Sequence, residues 1–80
     1  MIMSQTEVER IKEKYPAGTK IVLDKMDDIQ APPIGTIGTV TGVDDCGDLL
    51  MHWETGSSLK VILGIDKFHV SKNEEGENKS

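Results

Sequence analysis

The sequence contains little of what a disulfide, a secretory signal or a membrane span would require. Its one cysteine, Cys46, cannot form a disulfide within the chain. The first ten residues lack the basic start and the apolar stretch of a secretory signal, and no apolar run approaches the roughly 18 residues of a membrane span. These features predict a cytoplasmic protein that does not associate with a membrane.

Positive charge is also scarce. Nine Lys and Arg residues stand against 14 Asp and Glu residues, which gives a formal net charge of −5. Proteins that bind DNA or RNA contact the phosphates with Lys and Arg, so direct nucleic-acid binding is not expected. An acidic surface that mimics nucleic acid and inhibits an enzyme acting on it is easier to reconcile with this charge.

The N-terminal residues, 1–18, are predicted to form a short helix and its cap. Ser4 and Glu7 have the spacing of a capping box, and Pro16 and Gly18 end the helical pattern. The apolar stripe of this helix consists of Val8, Ile11 and Tyr15. We therefore expect the helix to pack against the rest of the domain, with a detachable partner-binding helix as the alternative.

Residues 19–71 carry the pattern of short β-strands separated by turns. Apolar residues alternate at Leu49, Met51 and Trp53, so these three side chains should point inward. Gly38 and Gly42 fall inside a predicted strand, where glycine is typical of a bulge or bend. Five such strands predict a small all-β barrel or sandwich. Residues 72–80 contain no large apolar residue and are predicted to be a disordered acidic tail.

Three motifs occur in one order: PPIGTIGTVTGVDDCGDL, MHWETGSSL and LGIDKF. Together they resemble a family of short, uncharacterised bacterial and phage domains, over about residues 10–70. The resemblance implies a mainly β fold, a small five-stranded SH3-like barrel with a short N-terminal α-helix, and it implies no reaction. The positions that match the family pattern are Pro32, Pro33, Gly35, Gly38, Val40, Gly42, Trp53, Gly56, Ser57, Ser58, Gly64, Asp66 and Phe68.

Three aspartates around Gly47, namely Asp44, Asp45 and Asp48, form the cluster in the sequence that most resembles a metal site. An EF-type loop beginning at Asp44 would need a bidentate Glu at the position of Thr55, and aspartate is common at hairpin turns in any case. Cys46 lies among these carboxylates rather than in the electropositive setting of a nucleophilic cysteine. We therefore predict no metal, no cofactor and no enzymatic activity.

The most suggestive surface is an apolar loop at residues 26–34, because clustered apolar residues in a loop often form a binding site. The alternative is that Ile29 and Ile34 fold back over an open barrel end. Trp53 lies next to a turn, where its ring edge could reach the surface, and Ser57 and Ser58 could bond either a ligand or the turn backbone. The predicted binding residues are Met26, Ile29, Pro32, Pro33, Trp53, Ser57, Ser58 and Asp66.

These residues predict a non-enzymatic binding module. In the first hypothesis, the apolar loop and a Trp-lined groove with an acidic rim recognise a basic or proline-containing protein partner. In the second, a phage-type protein sequesters a small ligand, such as a nucleotide signal, between protomers. Leu50 and Ile62 are out of phase with the inward residues and could pair two copies into a homo-oligomer.

Overall fold

The protein is mainly β, with one short helix and four strands. The structure, a computed structural model, describes residues 4–71, so the predicted tail at 72–80 lies outside the described residues. The elements in chain order are α1 (Gln5–Lys14), β1 (Lys20–Lys25), β2 (Ile37–Val43), β3 (Leu49–Trp53) and β4 (Lys67–Val70). Within the described residues, α1 is too short to cross a membrane.

The helix begins and ends where the sequence predicts. The Ser4 hydroxyl accepts the backbone N–H of Glu7 at 3.3 Å and donates to the Glu7 carboxylate at 3.0 Å. At the other end, the backbone N–H of Tyr15 donates to the carbonyl of Ile11. Val8 is buried, and the Tyr15 ring meets the Phe68 ring edge to face, with centroids 5.5 Å apart. The predicted packing of the helix against the strands is confirmed.

All strand pairs are antiparallel, and the strand order is β3-β2-β1-β4. The sheet is not closed, since β3 and β4 are its edges. This differs from the predicted barrel of five strands. In place of the fifth strand, Val61 forms an isolated bridge to Leu49, with reciprocal backbone bonds of 2.9 and 3.0 Å.

The pairing with β3 does not extend from Val61 to Leu59, which would lie opposite Met51. The backbone N–H of Leu59 donates to the Ser57 hydroxyl at 3.1 Å, and its carbonyl accepts the Trp53 indole N–H at 2.8 Å. After Val61 the chain turns, and the backbone N–H of Ile62 donates to the Asp66 carboxylate at 2.8 Å. The carbonyl of Ile62 accepts the N–H groups of Ile65 and Asp66, which closes the turn. The side chains of Ser57 and Trp53 have therefore replaced Met51 as the hydrogen-bond partners of Leu59.

The core lies on the inward face of the sheet, as the alternation in β3 predicts. Leu49, Met51 and Trp53 are buried, whereas Leu50 and His52 between them are exposed. The other buried members of the cluster are Ile21, Leu23, Met26, Val40 and Val61. The predicted inward direction of the β3 side chains is confirmed.

The two glycines of β2 have different roles. At Gly42 the pairing of β2 with β3 shifts register between Val40 and Gly42, so the predicted bend is present there. Gly38 lies opposite Trp53, and a Cβ at Gly38 would lie 2.5 Å from Cε3 of the indole ring. Gly38 is thus required for the packing of the tryptophan.

A four-residue turn of the same sequence pattern, Pro-x-Gly-Thr, precedes both β1 and β2. In residues 16–19 and 33–36, the Thr N–H donates to the Pro carbonyl at 3.0 and 3.1 Å, and the Thr hydroxyl donates to the same carbonyl at 2.7 and 2.6 Å. The glycine of each turn has positive φ, +99° at Gly18 and +93° at Gly35. The N–H of each turn glycine also donates to a core strand at 2.7 Å, Gly18 to the Val40 carbonyl and Gly35 to that of Leu23, so each turn joins the start of one strand to its neighbour.

Candidate functional site

A concave surface of about 290 Å³ lies between two loop segments on one side of the domain. One segment starts the β1–β2 loop (residues 26–36), and the other is the connection between β3 and β4 at residues 59–66. We call this surface the acidic groove. Its lining residues are Met26, Asp27, Asp28, Leu59, Lys60, Ile62, Ile65 and Asp66.

The first wall of the acidic groove is held by a tight turn in the β1–β2 loop. The Asp28 carboxylate accepts the backbone N–H of Gln30 at 2.8 Å, and the Asp28 carbonyl accepts the N–H of Ala31 at 3.0 Å. Met26 is buried at the base of this loop and belongs to the core. The turn leaves Ile29 wholly exposed at its tip. The first wall is thus attached to the core through Met26, and it contributes carboxylates to the groove.

The second wall is fixed to the core at several points. The carbonyl of Leu59 accepts the indole N–H of Trp53 at 2.8 Å, and Val61 is bridged to Leu49. The turn capped by Asp66 then presents Ile62 and Ile65 to the groove, with 39% and 68% of their surface exposed. Two isoleucines are therefore exposed to solvent on a segment that is hydrogen-bonded to the core.

Lys60 connects the second wall to the hairpin turn between β2 and β3. Its ammonium nitrogen lies 3.0 Å from Oδ2 of Asp44 and 3.1 Å from Oδ2 of Asp48. The other Asp44 oxygen accepts the N–H groups of Cys46 and Asp48, each at 2.9 Å. Two of the aspartates considered for a metal thus bind a lysine of the chain itself. Residues 4–71 contain no group of three or more His, Cys, Asp or Glu side chains placed to hold a metal ion.

These contacts shift two pKa values in the direction that favours the ion pair. The bond from the Asp48 backbone N–H, together with Lys60, lowers the pKa of Asp44 from its ordinary value of 3.8. The hydrogen bonds to Asp44 and Asp48 raise the pKa of Lys60 above 10.5. Both groups are charged at neutral pH, and folding favours their charged forms.

We therefore expect the contribution of Asp44 to stability to be lost in acid. Because its folded pKa is lowered, the contribution is complete well above pH 3.8 and disappears as pH falls through the lower folded value. Asp44→Asn keeps an oxygen that can accept the two backbone N–H groups but removes the charge. The difference in free energy of unfolding between the two proteins, measured in urea from pH 2 to 8, should shrink in acid. A difference that is constant across that range would contradict this assignment.

The structure divides the predicted loop residues between the core and the surface. Met26 lines the acidic groove from below, whereas Ile29 is 100% exposed and does not contact it. Pro32 is buried and Pro33 is exposed, and neither lines the groove. The alternative in which Ile29 and Ile34 cover an open barrel end is wrong, because Ile34 is also 62% exposed.

The expected contribution of Trp53 to a groove needs correction. Trp53 has no exposed surface, and its indole N–H is satisfied by the carbonyl of Leu59. It supports the second wall from beneath and cannot contact a ligand in this conformation. The Ser57 hydroxyl accepts the N–H of Leu59 at 3.1 Å, so it bonds the turn backbone, and the exposed Ser58 lies outside the groove.

Asp66 is the remaining predicted binding residue, and it lines the acidic groove. Ile65 is not among the predicted binding residues, and Ile62 is predicted only as a contact between copies. Their i, i+3 spacing in a turn that also contains Gly64 and Asp66 was the available signal. A turn of this kind exposes apolar side chains on one side.

One family is similar to this chain over most of its length. The family described as "Domain of unknown function (DUF4314)" matches residues 4–71, which is the whole of the described domain. No curated protein and no solved structure matches the sequence.

Proposed function

The chain belongs to the DUF4314 family of domains of unknown function, and we propose that it is a non-enzymatic binding module. In this proposal the acidic groove recognises a basic segment of a partner protein. The observation that carries the proposal is the exposure of Ile62 and Ile65 in a concave surface rimmed by carboxylates. Exposed apolar surface with a polar rim is typical of a protein interaction site.

Charge indicates the chemistry of the partner. Three of the eight lining residues are aspartates, Asp27, Asp28 and Asp66, and one is basic, Lys60. The Lys60 ammonium is already paired with two carboxylates outside the groove, so it offsets little of the negative charge at the rim. A basic segment would be attracted and oriented by this rim, and the attraction should weaken with salt.

The size of the acidic groove favours a protein segment over a whole small ligand. Its volume of about 290 Å³ is at the lower limit of the range of about 300–1,000 Å³ usual for small-molecule sites. A nucleotide signal is also anionic, so the carboxylates would repel it. Sequestration of such a ligand, pairing of two copies through Leu50 and Ile62, and nucleic-acid mimicry by the acidic surface have less support than recognition of a basic segment.

We further propose that the fold is an SH3-like barrel and that the protein acts in the cytoplasm of a bacterium or a phage-infected cell. The consecutive antiparallel pairing of β1, β2 and β3, and the return of β4 to the side of β1, support the barrel. A fifth strand would result if the Leu49–Val61 bridge extended along β3. The single, exposed Cys46 fits a reducing compartment.

Two matched isoleucine substitutions test whether the acidic groove is the binding surface. Ile65 lines the groove and is 68% exposed, whereas Ile34 is 62% exposed and lies outside it. We expect peptides selected from a random library on the wild-type protein to be rich in Lys, Arg and apolar residues. Ile65→Asp should weaken their binding about tenfold or more, because it replaces an apolar lining side chain of the site with a charged one.

Ile34→Asp is the control, since it adds the same charge at a similarly exposed position. Calorimetry with the selected peptides compares the two variants with the wild type, and circular dichroism checks that each is folded. Equal effects of the two substitutions on binding would show that the groove is not the site. A selection that returns acidic peptides would contradict the proposed partner.

A further inference from the structure

The acidic groove combines an apolar floor with carboxylates on both walls. Ile62, Ile65 and the buried Met26 contribute the apolar part, and each loop segment contributes a carboxylate, Asp28 from the first and Asp66 from the second. A side chain with a long apolar stem and a cationic head would contact both parts at once. Lysine and arginine are the two side chains of this kind.

Both carboxylates already have one oxygen in use. Oδ1 of Asp28 accepts the N–H of Gln30, and Oδ2 of Asp66 accepts the N–H of Ile62. Each aspartate therefore has one oxygen without a hydrogen bond from the described residues. The guanidinium of arginine binds best to two oxygens of one carboxylate, whereas an ammonium can donate to single oxygens of separate carboxylates.

The chain already binds one ammonium in the same way. Asp44 bonds the backbone through Oδ1 and binds Lys60 through Oδ2, while Asp48 contributes a second oxygen to the same nitrogen. From this arrangement, together with the apolar floor, we infer that the acidic groove binds a single lysine side chain of the partner and prefers it to arginine. This inference rests on the proposed function and specifies the residue that the groove recognises.

Blocked amino acids test the inference without a known partner. The probes are the Nα-acetyl amides of lysine, arginine and norleucine, titrated into ¹⁵N-labelled full-length protein and followed by the shifts of backbone amide signals. We expect the lysine probe to shift the signals of Asp28, Ile62, Ile65 and Asp66 saturably, with little effect on Ile34. Arginine should bind several-fold more weakly, and norleucine should cause little shift because it lacks the charge.

Charge-removing variants provide the control. Asp28→Asn and Asp66→Asn each keep an oxygen that can accept the backbone N–H, and the double variant should reduce the affinity for the lysine probe about tenfold. Asp45→Asn removes an exposed charge outside the groove and should leave that affinity within about twofold of the wild type, as expected for a screened distant charge.

Several results would overturn the inference. One is the absence of a saturable shift with the lysine probe. Another is an affinity for the arginine probe that equals or exceeds the affinity for lysine. A third is an equal loss of affinity for the lysine probe in the Asp45 variant and in the double variant. Any of these, in a protein whose selected peptides still lose affinity on Ile65→Asp, would reject the lysine preference and leave the proposed function standing. If Ile65→Asp has no effect on those peptides, the proposed function itself fails.

Discussion

Replacing Gly38 by alanine should destabilise the domain by about 3 kcal/mol, the upper part of the range for overpacking a core. The added Cβ would lie 2.5 Å from Cε3 and 2.8 Å from Cζ3 of the Trp53 ring. An indole ring cannot move one atom aside as a flexible chain end can, and the ring is completely buried. The strand or the tryptophan must therefore shift.

Gly42→Ala is the matched control, because it is the same substitution in the same strand. A Cβ at Gly42 would lie 3.7 Å from a terminal methyl group of Leu50, which is an ordinary contact. We expect this variant to change the free energy of unfolding by about 1 kcal/mol or less, in the range of glycine effects in strands. Urea denaturation of both variants is the measurement. Similar losses at the two positions would contradict the proposed contact between Gly38 and Trp53.

Trp53 is the second position at which we expect a large effect. Its side chain is the largest of the fully buried ones, and its N–H bonds the Leu59 carbonyl in the second wall of the groove. Trp53→Ala should cost about 3–5 kcal/mol, as for other large core truncations. Native domains have only about 5–15 kcal/mol of stability, so this loss is a large fraction of the total.

Trp53→Phe is the informative variant, since it keeps an aromatic ring but removes the N–H and part of the volume. We expect a loss of about 2 kcal/mol from the smaller ring and the unpaired Leu59 carbonyl. Affinity of the acidic groove for the lysine probe should also fall, although position 53 does not touch it. The exposed neighbour His52, changed to alanine, should alter neither quantity appreciably. A Trp53→Phe protein with unchanged stability would contradict the support of this wall by the indole.

The strands and the helix were predictable because each depends on a local pattern. The two-residue period of Leu49, Met51 and Trp53 determines which side of β3 faces the core, and the Ser4–Glu7 spacing indicates the start of α1. The missing fifth strand shows where such patterns fail. Leu59 and Val61 have the expected phase, yet the Ser57 hydroxyl and the Trp53 indole bond the backbone groups of Leu59 that would otherwise pair with Met51. The pattern of apolar residues contains no information about that competition.

The acidic groove was predicted only in part, since it forms where residues 26–28 approach residues 59–66. Segments separated by more than thirty positions leave no periodic signal of their contact. Met26 and Asp66 were identified because one lies in an apolar loop and the other in a family motif. The phase of Trp53 predicts an inward side chain, but its position beside a turn also favours a ring edge at the surface. The sequence does not reveal that the Leu59 carbonyl satisfies the indole N–H inside the core.

The claim that the acidic groove binds a basic protein segment is tested most directly by site-specific photo-crosslinking in the cell. A photo-reactive amino acid replaces Ile65 in one protein and Ile34 in another, and mass spectrometry identifies what each has captured. We expect a protein crosslinked from position 65 through a segment that contains lysine, with little capture from position 34. No crosslink from position 65, equal crosslinking from both positions, or capture through an acidic segment would contradict it.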